Sequence, residues 1–149
     1  VFYEPCHERF RKQDAAQVAL IRGILSLTGH WHDSAEVTPS MSNERALAAY
    51  VDDVHREYIL ERDKNEPEGQ SPHDLEVSGQ EILDAAQKRF VPIETKKGCS
   101  FIYRLLGGIR GSEEDIRNLA EFITAYERLA VSRGYINENM FYFVGKRKK

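Results

Sequence analysis

The chain has 149 residues and a formal net charge of −3, with 30% charged, 41% hydrophobic and 10% aromatic residues. A chain of this length buries roughly 70% of its unfolded surface, so we expect one folded domain over residues 1–149 rather than a disordered segment. No apolar run reaches the roughly 18 residues that a membrane span requires, and we therefore expect no membrane partner.

The two cysteines, Cys6 and Cys99, are far apart in the sequence and form no CxxC motif. This spacing fits neither a disulfide framework nor a four-cysteine zinc site. Such cysteine usage is typical of a reducing, intracellular environment, and we expect a cytoplasmic location.

Apolar residues at three- and four-residue spacing predict five helices. In chain order they cover about 7–27, from 44 onward after the cap signal of Ser42 and Asn43, from 72 to 90 after Ser71, about 99–109, and 113–133. The last helix is marked most clearly, because Ser112 and Asp115 form a capping-box-like pair and Gly134 supplies a left-handed end.

Three further segments complete the expected fold. Residues 62–71 contain no apolar side chain apart from one proline and should form a solvated acidic loop, and residues 145–149 should form a basic tail. The apolar residues of 140–144 have no decisive period, which leaves their type open between helix and strand. We predict an all-α fold, a compact bundle-like domain of about five or six helices, with a C-terminal segment that is either helical or extended.

A cluster of polar and aromatic residues follows the first helix, at Gly29-His30-Trp31-His32-Asp33. Together with His7, the pair His32-Asp33 resembles the metal motif of the HD-domain phosphohydrolases. This resemblance covers three residues. It implies an all-helical, metal-dependent hydrolase whose last ligand would be Asp52, Asp53 or Asp84.

A simpler interpretation of the same cluster is a polar loop that Trp31 anchors against the core. The remaining histidines have no HxxxH spacing, and the chain contains no GxSxG, HExxH or Walker pattern. We therefore expect no metal, no cofactor and no catalytic residue, and the HD-like hydrolase stays the second alternative.

Charge is divided unevenly along the chain. From residue 33 to 84 there are fourteen acidic residues and four basic ones, a net charge of −10, whereas from 96 to 149 eleven basic residues and six acidic ones give +5. An asymmetry of this kind concerns partners and assembly rather than fold.

These patterns favour an interaction or assembly module, a small subunit or adaptor, that binds a protein partner or a second copy of itself. The first alternative is a nucleic-acid-binding subunit, because cations beside aromatic rings suit phosphates and stacked bases. The candidate binding residues for either partner are Lys96, Lys97, Arg104, Arg110, Trp31, Tyr142 and Arg147.

Overall fold

The computed structural model describes residues 1–6, 9–59 and 78–148. Within them, the strands are β1 (Phe2–Pro5), β2 (Phe90–Gly98) and β3 (Met140–Arg147). The α-helices are α1 (Lys12–Leu27), α2 (Ser34–Val37), α3 (Glu44–Ile59), α4 (Gly79–Arg89), α5 (Ile102–Leu105) and α6 (Glu113–Ser132). Two 3-10 turns, Thr38–Met41 and Leu106–Gly108, follow α2 and α5.

The prediction of an all-α fold is wrong, because the chain combines its helices with a three-stranded antiparallel sheet. The strand order is β1-β3-β2, so β3 is the central strand and pairs with both neighbours. Phe2 lies opposite Phe143 in one pair, and Gly98 lies opposite Met140 in the other. The fold is mostly helical, but it is of the mixed α and β type.

The sequence did not predict the strand β2, because a proline interrupts the segment and apolar residues do not alternate with polar ones along its whole length. Val91 and Ile93 are both exposed, and Pro92 lies between them. Proline is tolerated in a sheet at an edge strand or at a bulge. Both conditions hold for Pro92, because β2 is an edge strand and its register shifts between Pro92 and Glu94. The predicted stop of the preceding helix is confirmed, because α4 ends at Arg89.

The caps predicted for two helices are confirmed. Asn43 Oδ1 accepts the Ala46 N–H at 2.9 Å at the start of α3. Ser112 and Asp115 form a reciprocal capping box at the start of α6, and Gly134 has a φ of 71° just beyond its end. These local signals worked because each satisfies backbone groups that a helix end leaves unpaired.

Three predicted helices are shorter in the structure. The helix expected from 72 to 90 begins at Gly79, because Ser78 has an extended backbone and is the N-cap of α4. α1 begins at Lys12 rather than near residue 7. At this start, the Asp14 carboxylate accepts the Arg11 N–H at 2.8 Å. The apolar helix expected over 99–109 is reduced to α5 and a 3-10 turn, and the buried Glu127 carboxylate of α6 holds its start by accepting the N–H groups of Phe101 and Ile102.

The apolar residues form two clusters. The larger one lies among α1, α3, α5 and α6 and includes the fully buried Val18, Tyr58 and Leu105. The smaller one packs Phe141 and Phe143 of β3 against Ala86 of α4. The sheet and α4 therefore have a core of their own beside the helical one.

Some predictions fall wholly or partly outside the described residues. The loop expected at 62–71 and the helix start at Ser71 lie there, as does Lys149. The basic tail expected at 145–149 is shorter than predicted, because residues 145–147 belong to β3. Among the described helices, none combines the length and the apolar character that crossing a membrane would need.

Candidate functional site

Exposed apolar side chains form a stripe on α1 and another on α6. In α1, Leu20, Ile24 and Leu27 are each more than half exposed and recur at i, i+4 and i+7. In α6, Phe122 and Leu129 are 70% and 53% exposed and lie two turns apart. Side chains at these spacings share one side of a helix, so each stripe is continuous.

The two stripes meet at one end, because hydrogen bonds join α1 to α6 and to the segment just after it in antiparallel order. Gln17 accepts a hydrogen bond from the Tyr126 hydroxyl, and Gln13 donates one to the Tyr135 carbonyl at 2.7 Å, so the two helices run in opposite directions. Leu20 follows Gln17 by one turn and Phe122 precedes Tyr126 by one turn, so these two side chains are at the same level. From there Ile24 and Leu27 continue toward the start of α6, and Leu129 toward the start of α1.

The stripe of α1 lies on the side of the helix that faces away from the core, whereas the stripe of α6 lies on a flank beside the core residues. Ala15 and Val18 are buried on the other side of α1, and the buried Ile123 and Ala130 lie about 100° around α6 from Phe122 and Leu129. We call the exposed surface the α1–α6 apolar face, and it consists of Leu20, Ile24, Leu27, Phe122, Ala125 and Leu129.

Two exposed charges border the α1–α6 apolar face on α6. Glu121 stands one residue before Phe122, and Arg128 stands one residue before Leu129. Within the part of the chain that the structure describes, neither residue forms an ion pair. Both charges are thus available to a partner that covers the apolar residues.

Sequence reasoning missed this face, although a signal was present. In α6 the spacing of seven between Phe122 and Leu129 defines a second apolar stripe beside the core stripe of Leu119, Ile123 and Tyr126. In α1 the apolar residues are too numerous for one side of a helix. Neither pattern says by itself which of two stripes is buried.

The structure places Trp31, a predicted partner-binding residue, inside the core. Its side chain is only 5% exposed and packs on Gly108, where an added Cβ would lie 2.1 Å from the ring. An isolated bridge between Trp31 and Ile109 joins the loop to the 3-10 turn. Trp31 therefore acts as the predicted loop anchor, and its ring is not on the surface.

Arg104, another predicted binding residue, is also held by the core. Its guanidinium lies 3.8 Å from the ring centroid of Tyr58, whose other face stacks on Phe10 with the centroids 4.5 Å apart. Burial raises the pKa of the Tyr58 hydroxyl. A cation held over an aromatic ring in this way contributes to packing, and Arg104 is not presented as an isolated surface charge.

Arg22 completes this buried polar group. It donates two hydrogen bonds to the Glu57 carboxylate, at 2.9 and 3.1 Å, and one to the Tyr58 hydroxyl at 3.2 Å. Burial alone would lower the pKa of Arg22. The hydrogen bonds and the negative charge of Glu57 oppose this effect, and the pKa of Arg22 is raised above its ordinary value. Sequence reasoning did not find this group, because its members come from three different helices.

The remaining predicted residues do not converge on one surface. Lys96 and Lys97 are exposed near one end of β2, where Lys96 pairs with Glu94 at 2.5 Å. Arg147 lies opposite Phe90 at the other end of that strand. Arg110 folds back onto the carbonyls of residues 107 and 109 in the helical part of the domain. Tyr142, opposite Lys96, is half-buried in the sheet.

A basic cluster that was not predicted as such lies where α4 meets the end of β3. The Lys148 N–H donates to the Arg89 carbonyl at 3.0 Å, which brings the last turn of α4 beside the strand. The five exposed cations gathered here, which we call the basic end, are Lys88, Arg89, Lys146, Arg147 and Lys148. None of them forms an ion pair within the described ranges.

The residues of the HD-like motif are only partly described, since His7 lies outside the described residues. His32 Nε2 lies 2.5 Å from the Asp33 carboxylate, and both side chains are exposed. Of the candidate last ligands, Asp52 pairs with Lys12 and Asp53 with Arg56. Residues 1–6, 9–59 and 78–148 contain no group of three metal-ligating side chains.

Two of the open grooves formed by the described residues are lined mostly by charged or polar side chains. The larger, of about 440 Å³, lies along α1 and α3 beside the ion pairs of Asp52 and Asp53. The smaller, of about 170 Å³, is lined by Arg9, Lys97, Asn137 and Glu138. Ligand pockets are lined mainly by hydrophobic and aromatic side chains, whereas charged side chains predominate in both of these grooves.

No family model, no curated protein and no solved structure matches this chain. The function is therefore argued from the surface itself.

Proposed function

We propose that this domain is an interaction or assembly module that binds a protein partner through the α1–α6 apolar face. The observation that carries this proposal is the exposure of two apolar stripes, on α1 and α6, that meet at Leu20 and Phe122. Single exposed apolar residues are common, whereas contiguous ones rimmed by polar residues mark interaction sites.

The composition of the face supports a protein partner. Phe122 offers a large aromatic side chain near the centre of the face, the kind of residue that contributes most to binding energy in protein interfaces. Glu121 and Arg128 provide charges of both signs at its border, which suits a partner surface of mixed charge rather than a polyanion.

The test is site-specific photo-crosslinking in the native cells. A benzophenone amino acid replaces Phe122 in one variant and Ile93 in the other, because the two side chains are 70% and 69% exposed but lie on different surfaces. We expect a discrete crosslinked protein, identified by mass spectrometry, from position 122 and not from position 93.

The crosslink from position 122 should disappear when Leu129→Asp is added, since a carboxylate two turns away would have to be desolvated at the interface. Equal crosslinking from positions 93 and 122, or none from 122, would contradict the proposed function.

A second candidate function is binding of a nucleic acid backbone at the basic end. The gathering of five exposed cations by α4 and β3 is the specific observation in its favour. Phosphate binding needs such a local concentration of positive charge, which the scattered Lys96, Lys97, Arg104 and Arg110 do not offer.

A further inference from the structure

The exposed stripe of α6 has the pattern of a short helix-pairing seam. Phe122, Ala125 and Leu129 recur at i, i+3 and i+7, which is the spacing of the apolar positions in paired helices. Asn118 and Ser132 occupy the next positions of the same pattern on either side and are polar. The seam is therefore about two turns long and has polar ends.

The charges beside this seam are complementary to those of a second copy. If α6 packs antiparallel to α6 of another copy, a two-fold axis that passes between residues 124 and 125 brings Glu121 of each copy level with Arg128 of the other. Phe122 of each copy then lies between Ala125 and Leu129 of the other, so that the aromatic ring packs beside a small residue. A parallel pair would place Glu121 beside Glu121, which is unfavourable.

The neighbouring stripe on α1 enlarges this surface. A specific interface covers about 800 Å² on each partner, which is more than a two-turn seam provides. Leu20, Ile24 and Leu27 are exposed on α1, with Leu20 at the level of Phe122, and in such a dimer they would extend the contact beyond α6.

We infer that the occupant of the α1–α6 apolar face is a second copy of this chain, docked with the two α6 helices antiparallel. This inference rests on the proposed function, which it makes specific. It names the partner, and it names Glu121 and Arg128 as the pair that sets the direction of docking.

Sedimentation equilibrium of the purified chain tests this inference with charge variants. Wild type should be a dimer, and both Glu121→Arg and Arg128→Glu should weaken dimerisation by roughly tenfold or more, because each places like charges together twice per dimer. The double variant E121R/R128E should dimerise like wild type. An equimolar mixture of the two single variants should form the heterodimer, in which every Arg again faces a Glu.

Apolar variants provide the matched comparison. Phe122→Asp should give a monomer, whereas Ile93→Asp, at an equally exposed position on β2, should leave the dimer intact. Circular dichroism of each variant confirms that the helices are retained. Both positions are exposed, so neither change disturbs the core.

Three results would overturn the inference. They are a monomeric wild type at all concentrations, a dimer that survives Phe122→Asp, and single charge variants that the double exchange fails to restore. A monomeric wild type whose position 122 still crosslinks to a different protein in cells would overturn self-association alone and leave the proposed function standing.

Discussion

The side chain of Trp31 owes its position to a glycine far away in the sequence. A Cβ added at Gly108 would lie 2.1 and 2.2 Å from two atoms of the indole ring, so only glycine permits this approach. The His32 N–H also donates to the Gly108 carbonyl at 3.0 Å. The sequence could suggest Trp31 as an anchor, but it could not show what the ring packs against, because that contact joins residues brought together only by the fold.

Gly108→Ala should therefore destabilise the protein by about 2 kcal/mol, the cost of forcing an extra methyl group into a well-packed core. Urea unfolding followed by fluorescence measures this directly, since Trp31 is the single tryptophan of the chain. Gly107→Ala is the control, because a Cβ at that position meets no described atom within 4 Å. Equal unfolding midpoints for the two variants would contradict this account of the contact.

Two elements, α4 and α6, begin with the same arrangement of side chains. Ser78 with Glu81 and Ser112 with Asp115 form reciprocal capping boxes. The backbone and side-chain hydrogen bonds of Ser78 lower the pKa of Glu81, and the side-chain and backbone hydrogen bonds of Ser112 lower the pKa of Asp115. Each acid is thus held by its helix end in the charged form.

Acid should weaken the start of α6. The folded-state pKa of Asp115 lies below its ordinary value of 3.8, so its contribution to stability is present above pH 3.8 and is lost as the pH falls through the folded-state pKa. We expect Asp115→Asn to be less stable than wild type at pH 7 and the difference to shrink below pH 3.8. Urea unfolding across this range measures it. The control is Glu36→Gln, an exposed acid outside both boxes, and an equal pH effect in that variant would contradict the role of Asp115.

At the element scale, the sequence predicted helices well where the signal was local and failed where it was not. The α6 cap and its terminal Gly134 were readable because all the interacting groups lie within a few residues. The segment of β3 could be either helix or strand on its own, and its pairing with β1 and β2 decided the outcome. The box of Ser78 and Glu81 was overlooked beside the proline signal at Ser71-Pro72.

For the whole molecule, the uneven charge along the chain does not produce one acidic and one basic face. The predicted cations separate to both ends of β2 and into the helical part, while the basic end gathers residues from α4 and β3. Which cations meet depends on topology, so the sequence predicted that positive charge mattered but not where it would concentrate. The α1–α6 apolar face was missed for a similar reason, since burial of one stripe rather than another depends on the helix neighbours.

Nucleic acid binding at the basic end has a test that depends on this placement. If the basic end binds nucleic acid, the logarithm of the affinity for a single-stranded oligonucleotide should fall linearly with the logarithm of the salt concentration. The double variant K146Q/R147Q should reduce the slope of this line by about 1.4. Fluorescence anisotropy over a salt series measures the slope. K96Q/K97Q, at the other end of β2, is the control and should leave the slope unchanged. Absence of binding at low salt, or an equal effect of both double variants, would exclude this candidate.

The pairing of β1 with β3 has a consequence for the order in which the molecule is made. Phe2–Pro5 leaves the ribosome before every other described element, and the strand it pairs with, Met140–Arg147, is the last described element to leave. Domains fold as their elements become available, and contacts between distant residues form slowly. β1 is therefore unpaired while the helices are synthesised, and the three-stranded sheet forms only after β3 has emerged.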